Sequence, residues 1–198
     1  INITGTKTYN ANVNFIPAQL TAGNIVNGDT VNLTGSATVA SQNVATYNSF
    51  ATNSLISSNS NYIATGGTVS VNITPATLTY NATPTSMTYG NSVPALSGTV
   101  TGFVGGETQA TATTGTLGFS TLASNTSNVG SYLITGAGLT ANNGNYNFVQ
   151  APSNSTALTI NQRPINITGT KTYNANVNFI PAQLTAGNIV NGDTVNLT

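Results

Sequence analysis

The side chains able to do chemistry are few. Asp29, Glu107 and Asp193 are the only carboxylates, Lys7, Arg163 and Lys171 the only cations, and the 198 residues include no His and no Cys. A Cys–His or Ser–His pair therefore has no base to work with. Glycoside hydrolysis needs two carboxyl groups roughly 5–10 Å apart. Asp29 and Glu107 sit instead in two similar glycine turns, Asn27-Gly28-Asp29 and Gly105-Gly106-Glu107. Equivalent turns in separate domains do not make one cleft, and a carboxylate in such a turn is expected to cap backbone N–H groups. Calcium requires six to eight oxygens, several of them usually carboxylates, and one acid per domain does not supply them. No catalytic, cofactor-binding or metal-ligating residue is assigned, and no cofactor is expected.

Three other chemistries are open to these residue types. Lys7 and Asp29 are the only charges before Glu107, and a buried acid beside Lys and Asn can drive an intramolecular amide crosslink. An exposed Lys near a strand start is the plainer alternative. The run Thr108–Thr116 would set Thr111 and Thr113 on one strand face, as in an ice-binding array, but one strand is no array. Tyr62 and Tyr146 precede the last strand of each expected domain. They are expected to hydrogen-bond across a sandwich corner; a sugar-binding platform would call for Trp or acidic partners, and Trp is absent. Eight Asn-X-Ser/Thr triplets equal the number expected by chance from this Asn, Ser and Thr content.

The elements that position these groups read as strands. Charged residues make up 3% of the chain, against about 25% in an average soluble protein. Thr (36 residues) and Asn (30) carry the polarity, and 38% of the chain is hydrophobic, more than a disordered segment holds. Zero formal charge gives no field to gather nucleic acid or anionic lipid. No apolar run approaches the ~18 residues of a membrane helix. Val69, Val71 and Ile73 alternate with polar residues, as do Val13 and Phe15, and as do Val31, Leu33, Ala37 and Val39 around a possible bulge at Gly35. Gly66-Gly67 predicts a two-residue hairpin loop. Val31, Leu33, Val71, Ile73, Leu158 and Ile160 are expected inside. Turn signals every ~8–12 residues suggest a sandwich or barrel, with no helix.

The chain also repeats itself. Ile1–Thr34 returns without a substitution as Ile165–Thr198. Within that 164-residue period a fainter repeat runs in one order: Val26–Thr30 answers Val104–Thr108, Asn43–Tyr47 answers Asn128–Tyr132, Tyr62 answers Tyr146, and Val69–Ile73 answers Ala157–Ile160. Such order marks an array. The expected domains are Ile1–Ile73 and Thr74–Arg163, with residues 164–198 the first half of the next repeat. A half-domain of this size does not fold alone, so its missing strands would come from sequence equivalent to Gly35–Ile73, in the same chain or another. Short junctions at Pro75 and Pro164 and the lack of charge pairs predict few side-chain contacts between domains.

The stretch from Lys7 to Ala64, with its Tyr9-Asn10-Ala11, resembles the YDG repeat of large bacterial surface adhesins of the filamentous haemagglutinin type, although the Asp and Gly of that motif are replaced. The stretch from Leu78 through "YGNSVPALSGTV" to Phe148 resembles the MBG repeat of the same adhesins. The resemblance implies an all-β fold of tandem immunoglobulin-like β-sandwiches in a linear array. It implies an extracellular, bacterial-surface location and a stalk role without catalysis. The expected partners are adjacent repeats or neighbouring copies in a fibre, with no nucleic acid, no membrane insertion in this segment and a receptor that the sequence does not name. The alternatives are a self-assembling filament, sheath or matrix protein, and a carbohydrate-binding module.

Overall fold

Thr, Val, Ile and Tyr fit a pleated backbone, and short strands dominate the computed structural model, which describes residues 1–198. The fold is all-β, with several small sheets and a single α-helical turn at Gln109–Ala112. No helix is long and apolar enough to cross a membrane. The chain divides into two compact units. Unit 1 holds Ile1–Tyr80, Val100–Leu117 and Ala137–Gln150; unit 2 holds Asn81–Thr99, Gly118–Gly136 and Ala151–Thr198. Unit 1 thus joins the first sequence segment to part of the second.

In unit 1 the strand Asn2–Thr8 lies antiparallel to Leu20–Gly23 and parallel to Val69–Thr74, which pairs in turn with Ala45–Tyr47. A second sheet joins Asn14–Phe15, Ala37–Thr38 and Thr52–Asn53. Ala76–Tyr80 pairs in parallel with Tyr146–Gln150. Tyr9, Phe15, Val39, Val71, Ile73, Leu78, Ala112 and Tyr146 form one buried cluster, and Ile3, Ala37, Leu55 and Ala64 another. Apolar residues at alternate strand positions fill both, as a period of two requires.

In unit 2, Leu158–Asn161 lies between Thr85–Thr88, parallel to it, and Gly130–Tyr132, antiparallel. Ala82, Met87, Ile134, Ala157, Leu158 and Ile160 make its core. Asn154 is wholly buried there, its Oδ1 accepting the Ala82 N–H at 2.9 Å. Residues 165–198 add a hairpin, Asn166–Gly169 with Leu184–Gly187.

Three strand expectations are corrected. Val69–Thr74 forms, but its partner is Asn2–Thr8 in parallel, and residues 62–65 are not a strand, so Gly66-Gly67 closes no hairpin. The parallel partner lies far away in sequence, where a two-residue signal cannot point. Val31 and Leu33 are half-buried, unlike Val71, Ile73, Leu158 and Ile160. Thr111 belongs to the helical turn and Thr113 begins a strand, so the two share no strand face. The Thr111 hydroxyl accepts the Thr108 N–H at 2.9 Å.

Candidate functional site

The two acid turns fold alike. Asn27 and Gly28 both have positive φ, as do Gly105 and Gly106, the backbone of a type I′ turn. Asp29 N–H donates to Val26 O, and Glu107 N–H to Val104 O, each at 3.0 Å. The equivalent tyrosine then closes each turn. Tyr62 OH donates to Asp29 Oδ2 at 2.8 Å and accepts the Val26 N–H at 3.1 Å. Tyr146 OH donates to Glu107 Oε2 at 2.5 Å and accepts the Val104 N–H at 3.1 Å. The carboxylates therefore receive tyrosine hydroxyls, where the sequence suggested backbone N–H groups. The backbone N–H is taken up by the tyrosine oxygen instead.

A second tyrosine pair was not singled out from the sequence. Tyr47 OH donates to Asn43 O and Tyr132 OH to Asn128 O, both at 2.7 Å. These are tyrosine corners, a hydroxyl reaching a carbonyl a few positions upstream. The Asn-Val-X-X-Tyr landmark carried that spacing.

Glu107 does more than Asp29. Its other oxygen, Oε1, accepts from Tyr9 OH at 2.8 Å, and the Tyr9 and Tyr146 rings meet edge to face at 5.3 Å. Unit 1 thereby fastens Tyr9 of the first segment to the acid turn of the second. Asn145 adds to the same junction: its Oδ1 accepts the Val44 N–H at 2.9 Å, and its Nδ2 donates to Asn43 Oδ1 at 3.0 Å. A Cβ on Gly105, which has φ +61°, would stand 2.4 Å from Ala11 Cβ, so glycine is required both by the turn and by the approach. The expectation of few side-chain contacts between the segments is overturned. Neutral hydroxyls and amides make the contacts that absent ion pairs could not.

Burial pushes the Tyr9 and Tyr146 phenols up to about 12, and the hydrogen bond to the Glu107 carboxylate adds to this. At Tyr62 the Val26 amide favours the phenolate, but Asp29 and burial outweigh it and the net direction is upward.

Lys7 is buried and has no carboxylate partner. Its Nζ donates to Asn10 Oδ1 at 3.1 Å, Asn14 O at 2.8 Å and Asn12 O, and lies 5.1 Å from the centre of the Phe15 ring. Burial lowers its pKa. Lys7 thus pins the loop that follows its strand, while Asp29 is engaged by Tyr62. The acid and amine of the crosslink idea take separate partners.

The carbohydrate idea finds little purchase. The open sheet surface of unit 1 is lined by Thr4, Thr6, Thr21, Thr46, Ser70 and Asn72, without an aromatic ring. A groove in unit 2 is apolar, with Leu122, Ala123 and Leu133 beside Tyr132, whose hydroxyl is held by Asn128.

In unit 2 the stretch Thr88–Asn91 is a turn. Asn91 N–H donates to Thr88 O at 3.0 Å, and Gly90 has φ +85°, as the third position of a type II turn demands. A Tyr-Gly pair in a tight turn, followed later in the chain by the Asn145-Tyr146 strand start, matches the stretch on which the resemblance rested. Residues 78–156 match the MBG domain of the YGX type. The MBG stretch includes Tyr89-Gly90-Asn91, Glu107 and Tyr146, so the acid turn and its tyrosine are parts of the MBG repeat. No curated protein and no solved structure matched the chain.

Proposed function

We propose that this chain is a structural repeat of a long extracellular bacterial fibre, an adhesin stalk that projects a distal binding domain and performs no catalysis. Its modules are Ile1–Ile73 and Thr74–Arg163, with residues 164–198 opening the next period. The MBG match supports a repeat of surface proteins. The observation that carries the mechanical reading is Glu107, one carboxylate receiving hydroxyls from Tyr9 of one module and Tyr146 of the next. Such a bond is short, partly buried and charge-assisted, and it ties the modules without a long charged side chain. Stiffness at each junction then turns copy number into reach.

The test is small-angle scattering on chains with increasing numbers of 164-residue periods. The maximum dimension is expected to grow in proportion to copy number. Glu107→Ala in every period is expected to shorten it by freeing the junctions. A dimension that grows only as the cube root of length would sink the stalk reading.

A further inference from the structure

The chain passes from one repeated segment to the next in two different ways. Ile73-Thr74-Pro75 leads into the strand at Ala76, whereas Ile160-Asn161-Gln162-Arg163-Pro164 leads into the strand at Asn166. The second passage has two more residues before its proline, and one of them is the only arginine of the chain.

Arg163 is half-buried in unit 2, and its hydrogen bonds go to neutral oxygens. Nη1 donates to Tyr89 O at 3.2 Å and Asn91 Oδ1 at 3.1 Å. Nη2 donates to Asn188 Oδ1 at 2.8 Å and Nε to Asn188 O at 3.0 Å. Asn188 answers through Nδ2, which donates to Pro164 O at 2.7 Å. A planar guanidinium holds its acceptors in fixed directions. Here it reads both the carbonyl and the side-chain oxygen of one asparagine.

Asn188 has φ +61°, a backbone that Asn and Gly adopt most readily. Its counterpart before the other acid turn is Gly102, since Asn188-Ile189-Val190-Asn191-Gly192-Asp193 aligns with Gly102-Phe103-Val104-Gly105-Gly106-Glu107. Gly102 also has positive φ, +108°. It meets the backbone need but offers no amide, and a Cβ there would stand 2.4 Å from Thr77 O. In unit 1 that turn is held by a different group, Tyr9 OH donating to Glu107 Oε1 at 2.8 Å. The two turns share a backbone and differ in the side chain that is recognised.

We propose that Arg163 is a specificity residue. Through it the module Thr74–Arg163 accepts, as the module that follows, one that presents an asparagine amide in a left-handed turn. It rejects another copy of itself, which presents Gly102. Glu107 and Arg163 are then two locks that do not interchange, and they fix the alternation of module types along the chain. This deepens the stalk reading and rests on it, but the lock is measured within a single chain, so either can fail while the other stands.

A chain with one arginine gives one Arg Nε–H signal, and hydrogen exchange at that signal reports whether the lock is closed. Every buried residue lies between Ile3 and Ile160, so substitutions within 188–193 spare all three cores. Asn188→Gly keeps the positive φ and removes the amide. It is expected to speed exchange at Arg163 Nε–H roughly tenfold, the scale of one lost charge-assisted hydrogen bond. Asn24→Gly, the same change in the other copy of the repeated stretch, is expected to leave Arg163 unchanged. The decisive pair grafts the other turn in place. Ile189→Phe, Asn191→Gly and Asp193→Glu together are expected to keep Arg163 protected, and adding Asn188→Gly to them is expected to release it. Exchange at Glu107 and Tyr146 should not respond in any of these variants. An Arg163 signal indifferent to Asn188→Gly, protection that survives the complete graft, or release already in the triple variant would overturn the proposal.

Discussion

Ile1–Thr34 and Ile165–Thr198 are one identical sequence in two settings. Both form the same hairpin in the same register, Asn2↔Gly23 and Asn166↔Gly187. Both make the 3₁₀ turn whose Gln accepts the preceding Ile N–H, Gln19 for Ile16 and Gln183 for Ile180. Lys171 repeats the cage of Lys7, with Asn174, Asn176 and Asn178. The copies then part. Ile3 is 1% exposed and Ile167 54%, Phe15 0% and Phe179 45%, Tyr9 1% and Tyr173 91%. The strand that reaches Thr8 in the first copy stops at Gly169 in the second. Residues 6–8 are strand because residues 72–74 lie beside them, and Phe15 is buried beneath the sheet that Ala37 and Asn53 complete. Hairpin, turn and cage each close within a short stretch of chain, so they need no distant partner. The core does.

That contrast can be broken by substitution. Phe15→Ala is expected to cost about 3–5 kcal/mol, as full truncation of a core aromatic does. Phe179→Ala is expected to cost less than about 1 kcal/mol at a half-exposed site. Thermal or urea denaturation checks both. Equal losses would mean that the second copy is packed as tightly as the first.

The alkaline limb of stability sharpens the same comparison. Tyr9 and Tyr146 hold their protons to about pH 12 when folded, and to about 10 when unfolded. The stability this gives is whole below pH ~10 and is lost as pH rises towards 12. Discounted for solvent screening around the turn, it amounts to on the order of 2 kcal/mol. Unit 1 should therefore loosen over that window, read by tyrosine absorbance and amide exchange. Tyr9→Phe should flatten the limb, while Tyr173→Phe, at the exposed twin, should leave it unchanged. A limb untouched by Tyr9→Phe would remove the Glu107 junction from the account.

The smallest effect is expected at Lys171. Its cage is local and solvent-exposed, so Lys171→Ala should change global stability by no more than about 0.5 kcal/mol. Amide exchange should quicken in residues 172–178 alone. A loss several-fold larger would show that the loop supports more than itself.

Much of this was legible beforehand. The strand class, the acid turns and the order of landmarks in both modules follow from alternation, glycine pairs and spacing, and the MBG stretch carried its own motif. Val71, Ile73, Leu158 and Ile160 were placed inside by period alone. The partner of Val69–Thr74 was not, since parallel pairing joins it to the far end of its module, at Ile3–Thr8, and leaves no local mark. Nor was the junction. Tyr9, Glu107 and Tyr146 are widely separated along the chain, and the hydroxyl-to-carboxylate distances of 2.8 and 2.5 Å exist only once unit 1 is folded.

The sequence by itself determined which elements form, because hydrogen bonds within a hairpin, a type I′ turn or the Lys7 loop depend on neighbours close along the chain. Only the tertiary structure decided that Ile3, Tyr9 and Phe15 of the repeated stretch are core. Burial is set by what the rest of the chain lays over a face, and over Ile1–Thr34 that is strands drawn from residues 35–74.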